Sequence, residues 1–161
     1  MSPDNFHIRE ASPSDADAIV AVTNAAFGFE TFIAGPRTDS QHLAEQMQTG
    51  KFLVAHDAKN RILASIYIEL RGERGYFGML AVDHARQGQG LGRALIDAAE
   101  NFCRDRGCKA MDIAALSQRP ELLPIYRHLG YRETGTEEFH PRTPLKPGIE
   151  CHIIVMTKDL L

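Results

Sequence analysis

The sequence predicts a single mixed α/β domain over residues 1–161, a sheet with helices against it in the order β-α-α-β-β-β-α-β-α-β-β. Three observations carry this. Three β-rich runs separated by short turns occupy residues 52–82, a strongly amphipathic helical segment begins at Gly90, and strand-like segments then alternate with one more helix to the C-terminus. With 161 residues, 43% hydrophobic and 24% charged, the chain can bury a core without staples, and wholesale disorder is excluded.

Taken in order, Phe6 to Arg9 reads as a short extended start. Pro13 and Ser14 open an acidic first turn, Asp15 and Asp17, that suits a helix N-terminus. Ala18, Ile19, Val22, Ala25 and Ala26 follow at helical spacing, and Phe27 to Thr38 breaks the pattern with Gly28, Gly35 and Pro36. A second helix is expected from Ser40 to about Gln48, ended by Gly50. Phe52–Ala55, Ile62–Leu70 and Tyr76–Val82 read as three strands of an antiparallel meander. From Gly90, the residues Leu91, Ala94, Leu95, Ala98 and Phe102 form one apolar face, with Asp97, Glu100, Arg104 and Asp105 largely elsewhere on the wheel. Gly107 stops that helix. Lys109–Leu116 is a strand, and Pro120 starts a short helix ending at Gly130, with Pro124 either kinking it or marking its true first turn. Tyr131–Phe139 and Ile149–Met156 are the last strands.

Composition narrows the function classes. The formal net charge is −3, with no basic stripe, so no nucleic-acid partner is expected. No apolar run approaches the roughly 20 residues of a membrane span, and the N-terminus lacks a signal-peptide core, so no membrane partner and a cytoplasmic location are expected. Cys103, Cys108 and Cys151 are odd in number and lack metal-type spacing, so they read as reduced thiols, and no metal is expected.

The chemistry lies in Leu80-Ala81-Val82-Asp83-His84-Ala85-Arg86-Gln87-Gly88-Gln89-Gly90-Leu91-Gly92-Arg93. A strand ends, a loop with alternate glycines follows, and a helix starts. Glycines permit positive φ and close backbone approach, and the unpaired N–H groups of a helix's first turn favour an anion. No acidic side chain occurs from His84 to Ile96, while Arg86 and Arg93 flank the loop, so the segment reads as a phosphate cradle. It lacks the Gly-Lys-Ser/Thr of a Walker loop, and Gly88-x-Gly90-x-Gly92 is not the spacing of a dinucleotide fingerprint.

Gln87-x-x-Gly90-x-Gly92 resembles the Gln/Arg-x-x-Gly-x-Gly/Ala signature of the GNAT superfamily of N-acetyltransferases, and Tyr126-Arg127-His128-Leu129-Gly130-Tyr131 is similar to that family's Tyr-x-x-x-Gly-Phe/Tyr. The resemblance is specific from about Tyr76 to Arg132 and weak in the first fifty residues. It implies a splayed central sheet and acetyl-coenzyme A as co-substrate. Leu80, Ala81 and Val82 would meet the pantetheine arm, Gln87, Gly88, Gln89, Gly90, Leu91 and Gly92 would hold the pyrophosphate through backbone N–H groups, and Arg93 would add charge. Tyr126 would stand near the coenzyme sulfur as the acid for the leaving thiolate, with a backbone N–H such as that of Val82 holding the oxyanion. The acceptor implied is a small-molecule or peptide amine that attacks the thioester directly through a tetrahedral intermediate. Monomer and homodimer both stay open.

Two positions depart from the family. Arg119 stands where many members carry Asn, and Tyr76 where some carry a glutamate base, so the glutamate mechanism does not transfer; Glu69 is a weaker candidate acting through water. A reading from another class therefore stays beside the enzyme: a catalytically degenerate acyl-coenzyme A sensor or interaction module. His140–Gly148 reads either as a wall of the acceptor site or as a long connection.

Overall fold

The structure, a computed structural model, describes residues 6–161; residues 1–5, part of the expected single domain and of the N-terminus read as leaderless, lie outside the described residues. Strand β1 (His7–Glu10) leads through a 3-10 turn at Pro13–Asp15 into α1 (Ala16–Ala26), followed by α2 (Ser40–Thr49). The meander is β2 (Lys51–His56), β3 (Ile62–Arg71) and β4 (Arg74–Val82). A second 3-10 turn, His84–Arg86, precedes α3 (Leu91–Asp105). Then come β5 (Ala110–Leu116), α4 (Leu122–His128), β6 (Arg132–Glu138) and β7 (His152–Asp159). The order of elements is the expected one.

All seven strands join one sheet in the order β1-β2-β3-β4-β5-β7-β6. Only β4 and β5 run parallel, because α3 carries the chain back between them. Residues of β2 alternate between two cores. Phe52 and Val54 pack with Ile19, Leu43 and Tyr67 under α1 and α2, while Leu53 and Ala55 join Leu95, Ile96, Ala99 and Cys103 of α3 on the other face. A strand covered on both sides needs the continuous apolar run that the sequence has there. Gly50 ends α2 where a Cβ would fall 2.3 Å from the Ile68 carbonyl oxygen, so only glycine fits the approach to β3. The start of α1 is fixed by Asp15, whose carboxylate accepts from the Ser12 N–H at 2.8 Å and from both Arg9 terminal nitrogens at 2.7 and 3.0 Å. Those bonds, the Arg9 ones foremost, hold its carboxyl down to a pKa of about 2 despite burial.

Four expectations need correction. The last strand starts at His152, not Ile149, and runs on to Asp159, because Ile149 is held back by a turn onto the Lys146 carbonyl. The α4 helix begins at Leu122; residues 117–121 form turns instead, and Pro124 sits in the first turn, where its missing N–H costs no helical bond. The buried stripe of α3 is rotated toward Ile96, Ala99 and Cys103, and it includes Glu100, only 4% exposed. Glu100 is tolerated there because Tyr131 Oη donates to it at 2.8 Å and Lys158 Nζ lies 3.0 Å away. Finally, only two of the three alternate glycines adopt positive φ, Gly88 at 81° and Gly90 at 84°; Gly92 is helical.

Candidate active site

The site begins with a register fault. Ser65 pairs with Ala81 and Tyr67 with Gly78, so Met79 and Leu80 together face Ile66, and Met79 takes the left-handed φ of 52°. This bulge turns β4 away from its parallel neighbour. Pairing with β5 lasts for three residues, Arg74–Ala110, Gly75–Met111 and Tyr76–Asp112, and then stops. Beyond Tyr76 the strands splay, as the resemblance implied. A pocket of about 180 Å³ lies in the gap, with Phe77, Gly78, Leu80, Ile113 and Tyr126 among its walls.

The backbone in the gap is oriented by the meander. The Asp83 N–H donates to the Leu63 carbonyl at 2.8 Å. By the alternation of an antiparallel ladder, the Val82 amide therefore points away from β3, toward the open side. The Asp83 carboxylate accepts from the Ala85 N–H at 2.9 Å and so shapes the following turn. Gly88 and Gly90 then lead into α3, which has neither a side-chain cap nor an acidic residue in its first turn. Its first N–H groups are left for a ligand.

A larger cleft of about 500 Å³ opens at this helix end. Of the ten residues expected to contact the coenzyme, Leu80, Val82, Gln87, Gly88, Gly90, Leu91, Gly92 and Arg93 line it. Ala81, buried on the other side of the strand, and Gln89 do not. Arg86 lines it as well, while Arg93 leans toward Asp97 at 3.4 Å. A Cβ at Gly88 or Gly90 would meet nothing within 4 Å, so these glycines serve backbone conformation and an open approach, not packing. Phe27, Leu80, Arg119 and Leu122 belong to the walls of both hollows, which lie side by side. The uncapped helix end could hold an anion, and the splay has room for an apolar arm.

Tyr126 projects from α4 into the smaller pocket. Its ring is held between Phe77, at 6.2 Å between centroids, and Tyr131, at 6.1 Å. The hydroxyl makes no hydrogen bond among the described residues, and burial pushes the phenol pKa up, so it stays protonated at neutral pH.

Tyr76, the last β4 residue paired to β5, lays its ring along the strand. Its hydroxyl comes so close to Gly78 that a Cβ there would sit 2.5 Å from it. Glu69, opposite Tyr76 on β3, accepts from Tyr67 Oη at 2.7 Å and from Arg71 Nε at 2.7 Å. Burial works against its charge, but Arg71 and Tyr67 hold the carboxyl below its usual range.

Glu30, absent from the sequence reading, is buried at 7% exposure in the wall of the smaller pocket. It accepts from Arg37 at 2.5 Å and also from Arg119. Arg119 further binds Glu121 at 2.8 Å, and the two guanidiniums stack on Phe27 and Phe29. Arg119 thus ties the α1–α2 loop to the segment after β5, in the wall between the two hollows. The β6–β7 loop meets the same segment: Ile33 bridges Leu145, Ala34 N–H donates to Pro144 O at 3.0 Å, and Lys146 N–H to Phe32 O at 3.0 Å. Arg142 pairs with Asp39 at 2.5 Å. The long basic loop is therefore joined to the segment that walls the gap.

Among known proteins, the profile described as an acetyltransferase (GNAT) domain matches residues 13–142. A mycothiol acetyltransferase from Propionibacterium freudenreichii subsp. shermanii is 24% identical over 153 residues, 91% of this chain and 48% of that protein. The chain thus spans about half the length, or less, of the curated relatives it matches. Among solved structures, the ribosomal-protein-S18-alanine N-acetyltransferase of Escherichia coli superposes with a TM-score of 0.77 at 17% identity, covering 96% of this chain and 94% of its own. A GCN5-related N-acetyltransferase from Kribbella flavida gives 0.73 at 21% identity, covering 98% and 99%. At such identities the likeness is one of fold.

Proposed function

The chain belongs to the GNAT acetyltransferase family, and on that premise we propose that it transfers an acetyl group from acetyl-coenzyme A to a primary amine by direct attack. The observation that carries this reading is the pair of adjoining hollows, one at the uncapped α3 N-terminus and one in the β4–β5 splay, with the Tyr126 phenol in the wall of the second.

In this mechanism the N–H groups from Gln87 to Gly92 hold the coenzyme's pyrophosphate, with Arg86 and Arg93 adding positive charge. The freed edge of Leu80–Val82 pairs with the pantetheine arm like an added strand. Bound there, the donor supplies an electrophilic thioester carbonyl. The amine nitrogen bonds to that carbon, and the Val82 N–H steadies the oxyanion. As the carbon–sulfur bond breaks, Tyr126 gives its proton to the departing thiolate. The nitrogen sheds one proton to solvent, and solvent reprotonates Tyr126. The sum is one amide and one free thiol, with no metal in the step.

Arg119, in the place of the family's asparagine, is read as a positioning residue: its guanidinium serves Glu30 and Glu121, not the coenzyme. The unbroken seven-stranded sheet supports a single domain over 1–161. Three free thiols support a reducing, cytoplasmic setting, and no helix among the described residues is long and apolar enough to cross a membrane. Thermal shift and thiol release test the reading together. Acetyl-coenzyme A should raise Tm where NAD and NADP do not, and an amine panel should release free thiol. Binding without transfer to any amine would instead mark a sensor.

A further inference from the structure

The three carboxylates nearest the gap, Glu30, Glu69 and Asp112, are already occupied. Glu30 serves two guanidiniums. Glu69 serves Tyr67 and Arg71. Asp112, across from Tyr76 at the apex of the splay, takes two bonds from Arg74, at 2.7 and 2.6 Å, and one from Thr157 at 2.7 Å. Tyr76 and Tyr126 are buried phenols, poor bases at neutral pH. The charged groups that Tyr76 feels are Arg71 and Glu69 on β3, Arg37 on the α1–α2 loop and Glu137 on β6; of these only Glu137 is a carboxylate without an ion-pair partner among the described residues, and it lies solvated on the edge strand.

We infer that the acceptor is a weakly basic primary amine, of the kind an amino acid or peptide carries at its α-carbon, taken up in its neutral form and steered by the Tyr76 hydroxyl. This rests on the acetyl-transfer reading. An ammonium nitrogen has no lone pair, so with Glu30, Glu69 and Asp112 occupied and Glu137 out on the solvated edge strand, the proton is lost before the amine enters. At pH 7.5 an α-amine with a pKa of about 8 is roughly one-quarter free base, whereas a lysine ε-amine at about 10.4 is roughly one part in a thousand, a bias of ~200-fold from basicity alone. Tyr76 is placed to use such an amine. Its hydroxyl rests beside Gly78, a wall of the pocket, and has no hydrogen-bond partner among the described residues. The phenol oxygen accepts one N–H and leaves the nitrogen lone pair aimed at the carbonyl carbon.

The test uses the whole chain, acetyl-coenzyme A and three probes: lysinamide, glycinamide and β-alaninamide. Lysinamide carries both kinds of nitrogen, and mass spectrometry of its product at pH 7.5 should show the α-acetyl form in excess by about 100-fold or more. For glycinamide, kcat/KM should climb with pH up to that amine's own pKa, and with the more basic β-alaninamide the limb should move upward by the difference. Calorimetry of glycinamide binding to the coenzyme A complex below its pKa, in buffers of different ionisation heat, should show release of close to one proton. Tyr76→Phe, which keeps the ring that Arg71 covers at 4.2 Å, should raise KM for glycinamide about 10-fold while acetyl-coenzyme A affinity stays unchanged.

Comparable α and ε products, or no proton release, would overturn the inference. So would a limb at one pH for both amines, or one displaced by Glu137→Gln, since an enzyme base would then be titrating. An unchanged acceptor KM in Tyr76→Phe would remove the steering role. A chain that binds acetyl-coenzyme A but acetylates none of the probes refutes the acceptor inference and leaves the coenzyme site standing; one that fails to bind it refutes the acetyl-transfer reading as well.

Discussion

Replacing Tyr126 by phenylalanine deletes one oxygen atom and leaves the ring between Phe77 and Tyr131. That oxygen makes no hydrogen bond among the described residues, so the fold loses no partner. Stability should change by no more than about 0.5 kcal/mol, the range of substitutions that break nothing. Catalysis should respond very differently. If the hydroxyl protonates the leaving thiolate, its loss should lower kcat about 100-fold, which is about 2.7 kcal/mol of transition-state stabilisation. Coenzyme affinity should hold, because the cleft proposed to bind it is built from the glycine loop and the β4 edge. The assay is thiol release at saturating donor with an accepted amine, beside urea unfolding and calorimetric titration of the same variant. Turnover within a factor of two of the parent, at equal stability, would refute the acid role and leave Tyr126 as a packing residue.

Other perturbations separate the remaining parts. Gly90→Ala should cost about 1–2 kcal/mol from left-handed backbone strain, since its Cβ would meet nothing within 4 Å; Gly90→Glu should also abolish acetyl-coenzyme A binding by placing negative charge at the helix N-terminus, checked by calorimetry on the folded variant. Arg119→Met leaves Glu30 buried with one guanidinium instead of two and should destabilise by about 3 kcal/mol; adding Glu30→Gln should recover part of that loss in a denaturation cycle. For Asp15 the folded pKa is depressed to about 2, so its contribution is complete above the unfolded carboxyl pKa and disappears as pH falls toward 2. Stability should therefore drop by about 2 kcal/mol between pH 5 and pH 2 from this group, and Asp15→Asn should flatten that part of the profile.

What was legible in the sequence follows the range of the interactions involved. The order of elements and the existence of the α3 helix are written in local periodicity and stand as read, while the buried stripe of α3 and the backbone of Gly92 needed the structure. Glu30 escaped because its partner Arg119 is 89 residues away and neither residue belongs to a periodic pattern. Glu100 escaped for a related reason: a charge is assigned to a helix's outer face unless its neutralising partners, here Tyr131 and Lys158, are known. The late start of β7 depends on a turn within a proline-rich loop that is itself pinned to a distant segment. Tyr76 was legible only as a missing glutamate. Its hydroxyl acquires a place because position 78 is glycine, two residues on along the same strand.

The bulge at Met79 makes the β4–β5 boundary an unclosed seam. Three rungs are zipped, and past Tyr76 no further pair forms. Removing the surplus residue would let the strands continue pairing, giving a more complete sheet with no slot in it. The chain thus forgoes cohesion across its middle, and in the proposed mechanism an arm lying along Leu80–Val82 would supply the rungs its own backbone withholds. Occupancy should then be felt well beyond the pocket. The two halves of the sheet, joined in the free chain by a short parallel hinge, would breathe less once the seam is filled, and amide exchange in β4 and β5 would slow together.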